Sequence, residues 1–187
     1  MPRFRPDKLN EAQRELYDSI VNGPRARSAF GLTDEHGGLH GPFNAMLLAP
    51  QLGLALQALG AAVRFGGTLP DRAREIAILV VAAVRESGFE RRAHETIART
   101  FGMEQAVLDH IAALRYDELT DGFERTVANT AERLARVGQL DDHEYAEAQD
   151  VLGRDGLFAL TTLVGYYSLL ATQLSVFGVD HGIETSP

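Results

Sequence analysis

An all-α fold, a compact bundle of about eight helices, is what the sequence predicts, and three observations predict it. Apolar residues recur at steps of three and four along most of the chain. Glycine and proline punctuate these stretches, and no two alternating apolar runs are joined by a hairpin turn signal. No internal repeat of conventional period is evident. With 187 residues, 45% of them hydrophobic, the chain can fill one core. A single domain is expected over 1–187, with an N-terminal helix and loop extension at 1–41 and a helical core at 42–180.

The elements follow in order. Asn10 to Val21 has apolar positions near helical spacing and stops at Asn22-Gly23-Pro24, a terminator followed by a residue that cannot continue the helix. Gly31 to Gly41 carries several glycines with Asp34, Glu35, His36 and His40, which predicts a loop over or beside the body. Helical patterning begins at Pro42. Pro50 suits the first turn of a helix over Gln51 to Phe65, closed by Gly66-Gly67. Pro70 and Asp71 start the next helix, which runs to about Glu86, before Ser87-Gly88. Its middle, Ile76 to Val84, is apolar on all sides, as in a helix that neighbours cover completely. A buried strand is the competing reading, and length, alanine content and charged flanks favour the helix. Phe89 to Phe101, Glu104 to Leu114, Thr120 to Val137 and Asp142 to Leu152 add four helices. Gly156 to Phe177 is the last, closed by Gly178 ahead of a polar tail.

Composition excludes several functions. A formal net charge of -8 opposes general binding to polyanions, so nucleic acid is not an expected partner. The absence of cysteine removes disulfides, thiolate metal ligands and thiol redox chemistry together. The N-terminal residues have no apolar h-region, so a cytoplasmic location is expected. The longest apolar run, Ile76 to Val84, is less than half a membrane crossing, and no membrane association is expected.

Candidate chemistry centres on His94. Glu90 lies four residues before it on the same predicted helix, so both side chains leave one face a turn apart. A carboxylate beside an imidazole fixes its tautomer and suits it to give and take a proton near neutral pH. An exposed ion pair is the plainer alternative. Glu75 heads the apolar helix, where an acid is favourable for dipole reasons alone, and Arg74 and Arg85 flank that helix at its two ends. Tyr166 and Tyr167 interrupt an aliphatic helix and need partners for their hydroxyls if buried, either in the core or in a pocket. His36 and His40 have no third ligand at zinc-site spacing, so they are expected to be solvated loop residues and no metal is expected. His110, His143 and His181 have no company that suggests a role.

The segment GPFNAMLLAPQLGLALQALGAAVRFGGTLPDRAREIAILVVAAVRESGFERRAHE resembles the core of carboxymuconolactone decarboxylase-like proteins. The likeness runs from the Gly-Pro-Phe-Asn entry through the Leu-Pro-x-Arg-x-Arg-Glu helix to Ala-His-Glu. Gly165 to Asp180 is similar to the C-terminal helix of longer members, and ELYDSI with Gly23-Pro24 to their N-terminal lead. In order and spacing these pieces cover most of the chain. The peroxidase branch, typified by alkyl hydroperoxide reductase D, carries Glu-x11-Cys-x2-Cys-x3-His, and the same spacing here reads Glu75, Ser87, Glu90, His94. Both cysteines are replaced, so the thiol relay cannot operate, and Glu90 four before the histidine resembles the cysteine-free members.

The resemblance implies an alkyl hydroperoxide reductase D-like helical fold and a small-molecule substrate such as a carboxylated unsaturated lactone. Its decarboxylation leaves an enolate-type anion that must be protonated at a distant carbon. The lactone carbonyl is the electron sink, so no metal or cofactor is required; the protein orients the substrate, stabilises the oxyanion and delivers a proton. His94 fits as general acid oriented by Glu90, with Arg74 or Arg85 holding a substrate carboxylate and Glu75 or Tyr166 acting at the far side. The same groups would serve a tautomerase, a lactone hydrolase or a cyclisation enzyme, and a non-catalytic binding or structural role is the alternative of another class. The family also implies a homo-oligomer, a trimer or hexamer, with the pocket close to a subunit boundary.

Overall fold

The computed structural model describes Met1 and residues 3–178, and among them every regular element is helical; a single β-bridge, Thr33 with Leu39, is isolated. The expected polar tail after Gly178, the last two residues of the segment ending at Asp180, and His181 lie outside the described residues.

Helix α1 (Glu11–Val21) opens on a capping box: Gln13 N donates to Asn10 Oδ1 at 2.9 Å and Asn10 N to Gln13 Oε1 at 3.1 Å. Leu16 and Ile20, four apart, are its fully buried residues. After the short α2 (Pro42–Met46), α3 (Pro50–Phe65) starts with the expected first-turn proline and packs against α1. Gly53 lets the Leu16 side chain and the end of α2 press against α3: a Cβ there would lie 2.5 Å from Leu16 Cδ2 and 2.8 Å from the Met46 carbonyl oxygen.

The expectation of a wholly buried helix is met by α4 (Asp71–Val84), in which Ala73 through Ala82 are all buried. It is surrounded by α5 (Gly88–Thr100), α6 (Gln105–Ala112), α7 (Gly122–Val137) and α8 (Asp142–Val176). Each Ile, Leu or Val removed from water contributes about 1.5–3 kcal/mol, so α4 organises the core. Helix α7 begins after the expected Thr120, because the Asp121 side chain accepts from Phe123 N and Glu124 N and so sets the start. It ends at Gly138, whose φ of 78° is left-handed.

The two last helices expected from the sequence form one 35-residue element broken at Gly153, where φ 67° and ψ 172° are non-helical. Only glycine adopts that conformation at little cost. By length and composition α8 is the one described helix long and apolar enough to cross a membrane, and half of its apolar window is buried inside the protein.

Gly53→Ala tests the α1–α3 contact. On an open helix the change would stabilise by up to about 1 kcal/mol. Here the added methyl meets Leu16 and the Met46 carbonyl, and a net loss of about 1–3 kcal/mol is expected in denaturant titration.

Candidate active site

Glu75 sits in the buried stretch of α4 with no solvent exposure, and His94, on α5, is 5% exposed. The Glu75 Oε2 to His94 Nδ1 distance is 2.6 Å, a short charge-assisted contact. The other carboxylate oxygen lies 3.3 Å from Arg64 Nη2 and 3.8 Å from Arg74 Nε. Arg64 comes from the last turn of α3 and Arg74 from α4, so three helices converge on one carboxylate.

The electrostatics assign the protons. Burial alone would raise the Glu75 carboxyl, but His94, Arg64 and Arg74 together hold it below the ordinary carboxylate range. Burial lowers the His94 imidazole, and the two arginines add to that against the opposing pull of Glu75. Near neutral pH the pair is therefore an ionised carboxylate and a neutral imidazole. An ionised carboxylate only accepts, so Nδ1 carries the hydrogen and Nε2 keeps its lone pair.

His94 lines a cavity of about 460 Å³, while Glu75 stands behind it. That volume is in the range of small-molecule sites. The walls come from α5, the end of α3, the middle of α8 and the segment from Pro24 to Phe43. Tyr167 meets His94 edge-on with ring centroids 5.1 Å apart, and Tyr166 meets Tyr167 likewise at 5.3 Å. Phe30 and Phe89 form another T-shaped pair at 5.5 Å. The glycine-rich segment is a folded loop: the Asp34 carboxylate accepts from His36 N and Gly38 N and pairs with Arg3 at 2.5 Å. Gly41, at φ 57°, brings the chain so near the Phe89 ring that a Cβ would collide with it.

The structure brings together His94, Glu75, Glu90 and Tyr166, and it redistributes their roles. The expected orienting carboxylate was Glu90. The carboxylate bonded to Nδ1 is Glu75, reached across the α4–α5 interface, while Glu90 is buried in the cavity wall one turn before His94. Glu75 is thus no simple helix-start residue. Arg74 is buried and pairs with Asp71 at 2.5 Å, outside the cavity lining, and Arg85 is exposed beyond the end of α4. Neither is placed to hold a substrate carboxylate in this cavity.

The arginines that line it are Arg25 and Arg64. Arg64 had a signal, as the lone charge in an otherwise uncharged sixteen-residue helix. Arg25, between a proline and an alanine in the short 3-10 helix Pro24–Arg27, had none. His36 is exposed as expected, whereas His40 lines the cavity half-buried, its ring 6.5 Å from Phe30, and burial lowers its pKa. Among the described residues no group of three His, Asp or Glu side chains forms a metal site.

The protein is thus a helical fold with a buried carboxylate–imidazole pair at the wall of a cavity that seven Phe and Tyr side chains help line. The sequence model of the carboxymuconolactone decarboxylase family matches residues 50–143, and the chain belongs to that family. Among solved structures it is similar to an uncharacterized peroxidase-related protein from Ralstonia eutropha JMP134, described as an alkylhydroperoxidase AhpD core. The TM-score is 0.77 at 14% identity, over 98% of this chain and 92% of that one. At that identity the likeness is one of fold. No curated protein matches the sequence.

The lowered imidazole makes stability depend on pH in a definite direction. An unfolded histidine takes up its proton near pH 6.5, the folded one only at lower pH, so the unfolded state binds more protons between the two values. The contribution of His94 is complete above about pH 6.5 and is lost as pH falls toward the folded value. Glu75, also lowered, acts in the same sense below its ordinary range. Tm is expected to fall between pH 7 and pH 5, at most by the equivalent of about 1.4 kcal/mol per pH unit from one group. In His94→Gln the slope over this interval is expected to flatten.

Proposed function

We propose that this chain is a cofactor-independent acid/base enzyme acting beside the carbonyl of a small unsaturated compound, and that its reaction is decarboxylation of a carboxylated lactone with proton delivery by His94. The observation that carries this reading is the 2.6 Å contact from Glu75 to His94 Nδ1, which leaves Nε2 as the proton-transfer atom of a residue lining the cavity. In the reaction the bond to the substrate carboxylate breaks and CO2 leaves. The electron pair enters the conjugated lactone, and the imidazolium N–H protonates the distal carbon before solvent reloads it. Glu75 stabilises the imidazolium stage and holds the ring, as a buried carboxylate does in other histidine-based sites. Arg64, 12% exposed and lining the cavity, supports the developing oxyanion.

A tautomerase is the second reading, favoured by the neutral resting state of His94. There Nε2 removes a proton next to the carbonyl and returns it further along the conjugated chain. The two differ in pH dependence. Decarboxylation needs the imidazolium, so its rate rises as pH falls through the lowered His94 pKa. Proton abstraction needs the neutral ring, so its rate is flat above that pKa and lost below it. The expected assembly is a homo-oligomer, trimer or hexamer. Phe158 at 74% and Val176 at 71% exposure on α8, and Leu52 at 59% on α3, are apolar surface that subunit contacts would cover.

The test is CO2 release and solvent deuterium exchange, followed by NMR, with a panel of carboxylated lactones and β-keto acids. His94→Ala is expected to abolish turnover while circular dichroism stays helical. Glu75→Gln is expected to lower it about 10²–10⁴-fold. Turnover unchanged in His94→Ala would sink the histidine-centred mechanism. Light scattering at the mass of a monomer would count against the oligomer.

A further inference from the structure

Arg25 is an unusual cation for this interior. It is 5% exposed and lines the cavity, and among the described residues no carboxylate lies in ion-pair range of it. Arg64 is matched by Glu75 and Arg74 by Asp71, but the partners of Arg25 are neutral: its Nη1 donates to the Gln57 side chain and, at 3.4 Å, to the Gln57 carbonyl. The guanidinium also lies over the Phe43 and Phe65 rings, at 5.5 and 6.0 Å from their centroids. Burying a cation without an anion is costly, and stacking on aromatic faces relieves only part of that cost. Among the described residues Nη2 has no protein acceptor.

A second unmatched polar group lies at the same place. Among the described residues the Tyr166 hydroxyl is buried with no hydrogen-bond partner. A Cβ on Gly60 would collide with that hydroxyl and lie 2.5 Å from Arg25 Nη2, so both groups rest against the bare backbone of α3. Two donors, one of them charged, converge on a spot separated from His94 by Tyr167. The rest of the lining includes Phe30, Phe43, Phe65, Phe89 and Phe101 together with the Glu90 carboxyl, whose charge is felt at both tyrosines.

We propose that Arg25 and the Tyr166 hydroxyl form a carboxylate subsite, and that the cavity selects conjugated or aryl carboxylic acids whose acid group lies remote from the carbon presented to His94. The guanidinium fork takes the two carboxylate oxygens, the phenol adds a donor, and the phenylalanines stack on the flat body. The retained carboxylate anchors the substrate and is distinct from any group lost in the reaction. The chemistry at His94 rests on the acid/base reading above; the binding preference does not.

Calorimetry with 2-naphthoate and its neutral analogue 2-naphthamide separates the two. Wild type is expected to bind the carboxylate at least tenfold more tightly than the amide. Arg25→Gln is expected to bring the ratio close to one, and Tyr166→Phe to weaken naphthoate several-fold with little effect on the amide. His94→Gln keeps the tenfold ratio. Equal affinities in wild type, no naphthoate binding at millimolar concentration, or a ratio that survives in folded Arg25→Gln overturns the subsite. Should Arg25→Gln fail to fold by circular dichroism, an undiminished naphthoate affinity in Tyr166→Phe overturns it instead. An intact ratio in a protein that exchanges no protons would leave the subsite standing and sink the acid/base reading alone.

Discussion

A carboxylate without solvent exposure, set in the second turn of the buried helix α4, is the constraint to which the rest of the structure answers. Taking Glu75 out of water costs several kcal/mol unless its charge is matched and its oxygens accept hydrogen bonds. The match is assembled from three helices: His94 from α5 on one oxygen, Arg64 from α3 and Arg74 from α4 toward the other. The end of α3 and the middle of α5 must therefore meet the start of α4 at one point. Packing around that point leaves an open cavity on the α5 side, bounded by α8 and by the segment from Pro24 to Phe43.

The same network decides the state of the imidazole. Glu75 alone would raise its pKa, yet burial and the two arginines outweigh it. The ring is neutral at rest, with its tautomer dictated by the carboxylate behind it. A weakly basic imidazole becomes a strong proton donor once loaded, and the fixed carboxylate stabilises the loaded form without reorganising. Aromatic residues separate His94 from Arg25, which has no carboxylate in ion-pair range among the described residues. The cavity thus has two chemically different ends on one apolar body. The loop from Gly31 to Gly41, tied by Asp34 and brought against Phe89 at Gly41, contributes His40 to its wall.

Much of this architecture was legible in the residues. The break between Leu152 and Gly156 was visible because glycine punctuates the pattern, and Gly153 is where the helix departs from helical geometry. The continuous apolar run in α4 could only be a covered helix or a buried strand, and its alanines and charged flanks decided between them. His94 was visible through its spacing to acidic residues, and Tyr166 through its intrusion into an aliphatic helix. The error over Glu90 has a simple cause. Helical spacing shows which residues share a face, and Glu90 does share one with His94; it says nothing of a carboxylate on a facing helix nineteen positions away. Arg74 and Arg85 were natural candidates by sequence proximity to Glu75, but helix rotation turns Arg74 toward Asp71 and the helix end leaves Arg85 in solvent.

By itself the sequence determined the helical class, the succession of elements, the exclusion of thiol chemistry and the histidine around which a site could form. Each of these is set by local pattern or by residue type: apolar periodicity, glycine and proline punctuation, the absence of a reactive group. Only the tertiary structure decided which carboxylate holds His94, which arginines face the cavity and which protonation state results. Those depend on contacts between helices and on desolvation, which exist only once the chain has packed and which leave no mark on local periodicity.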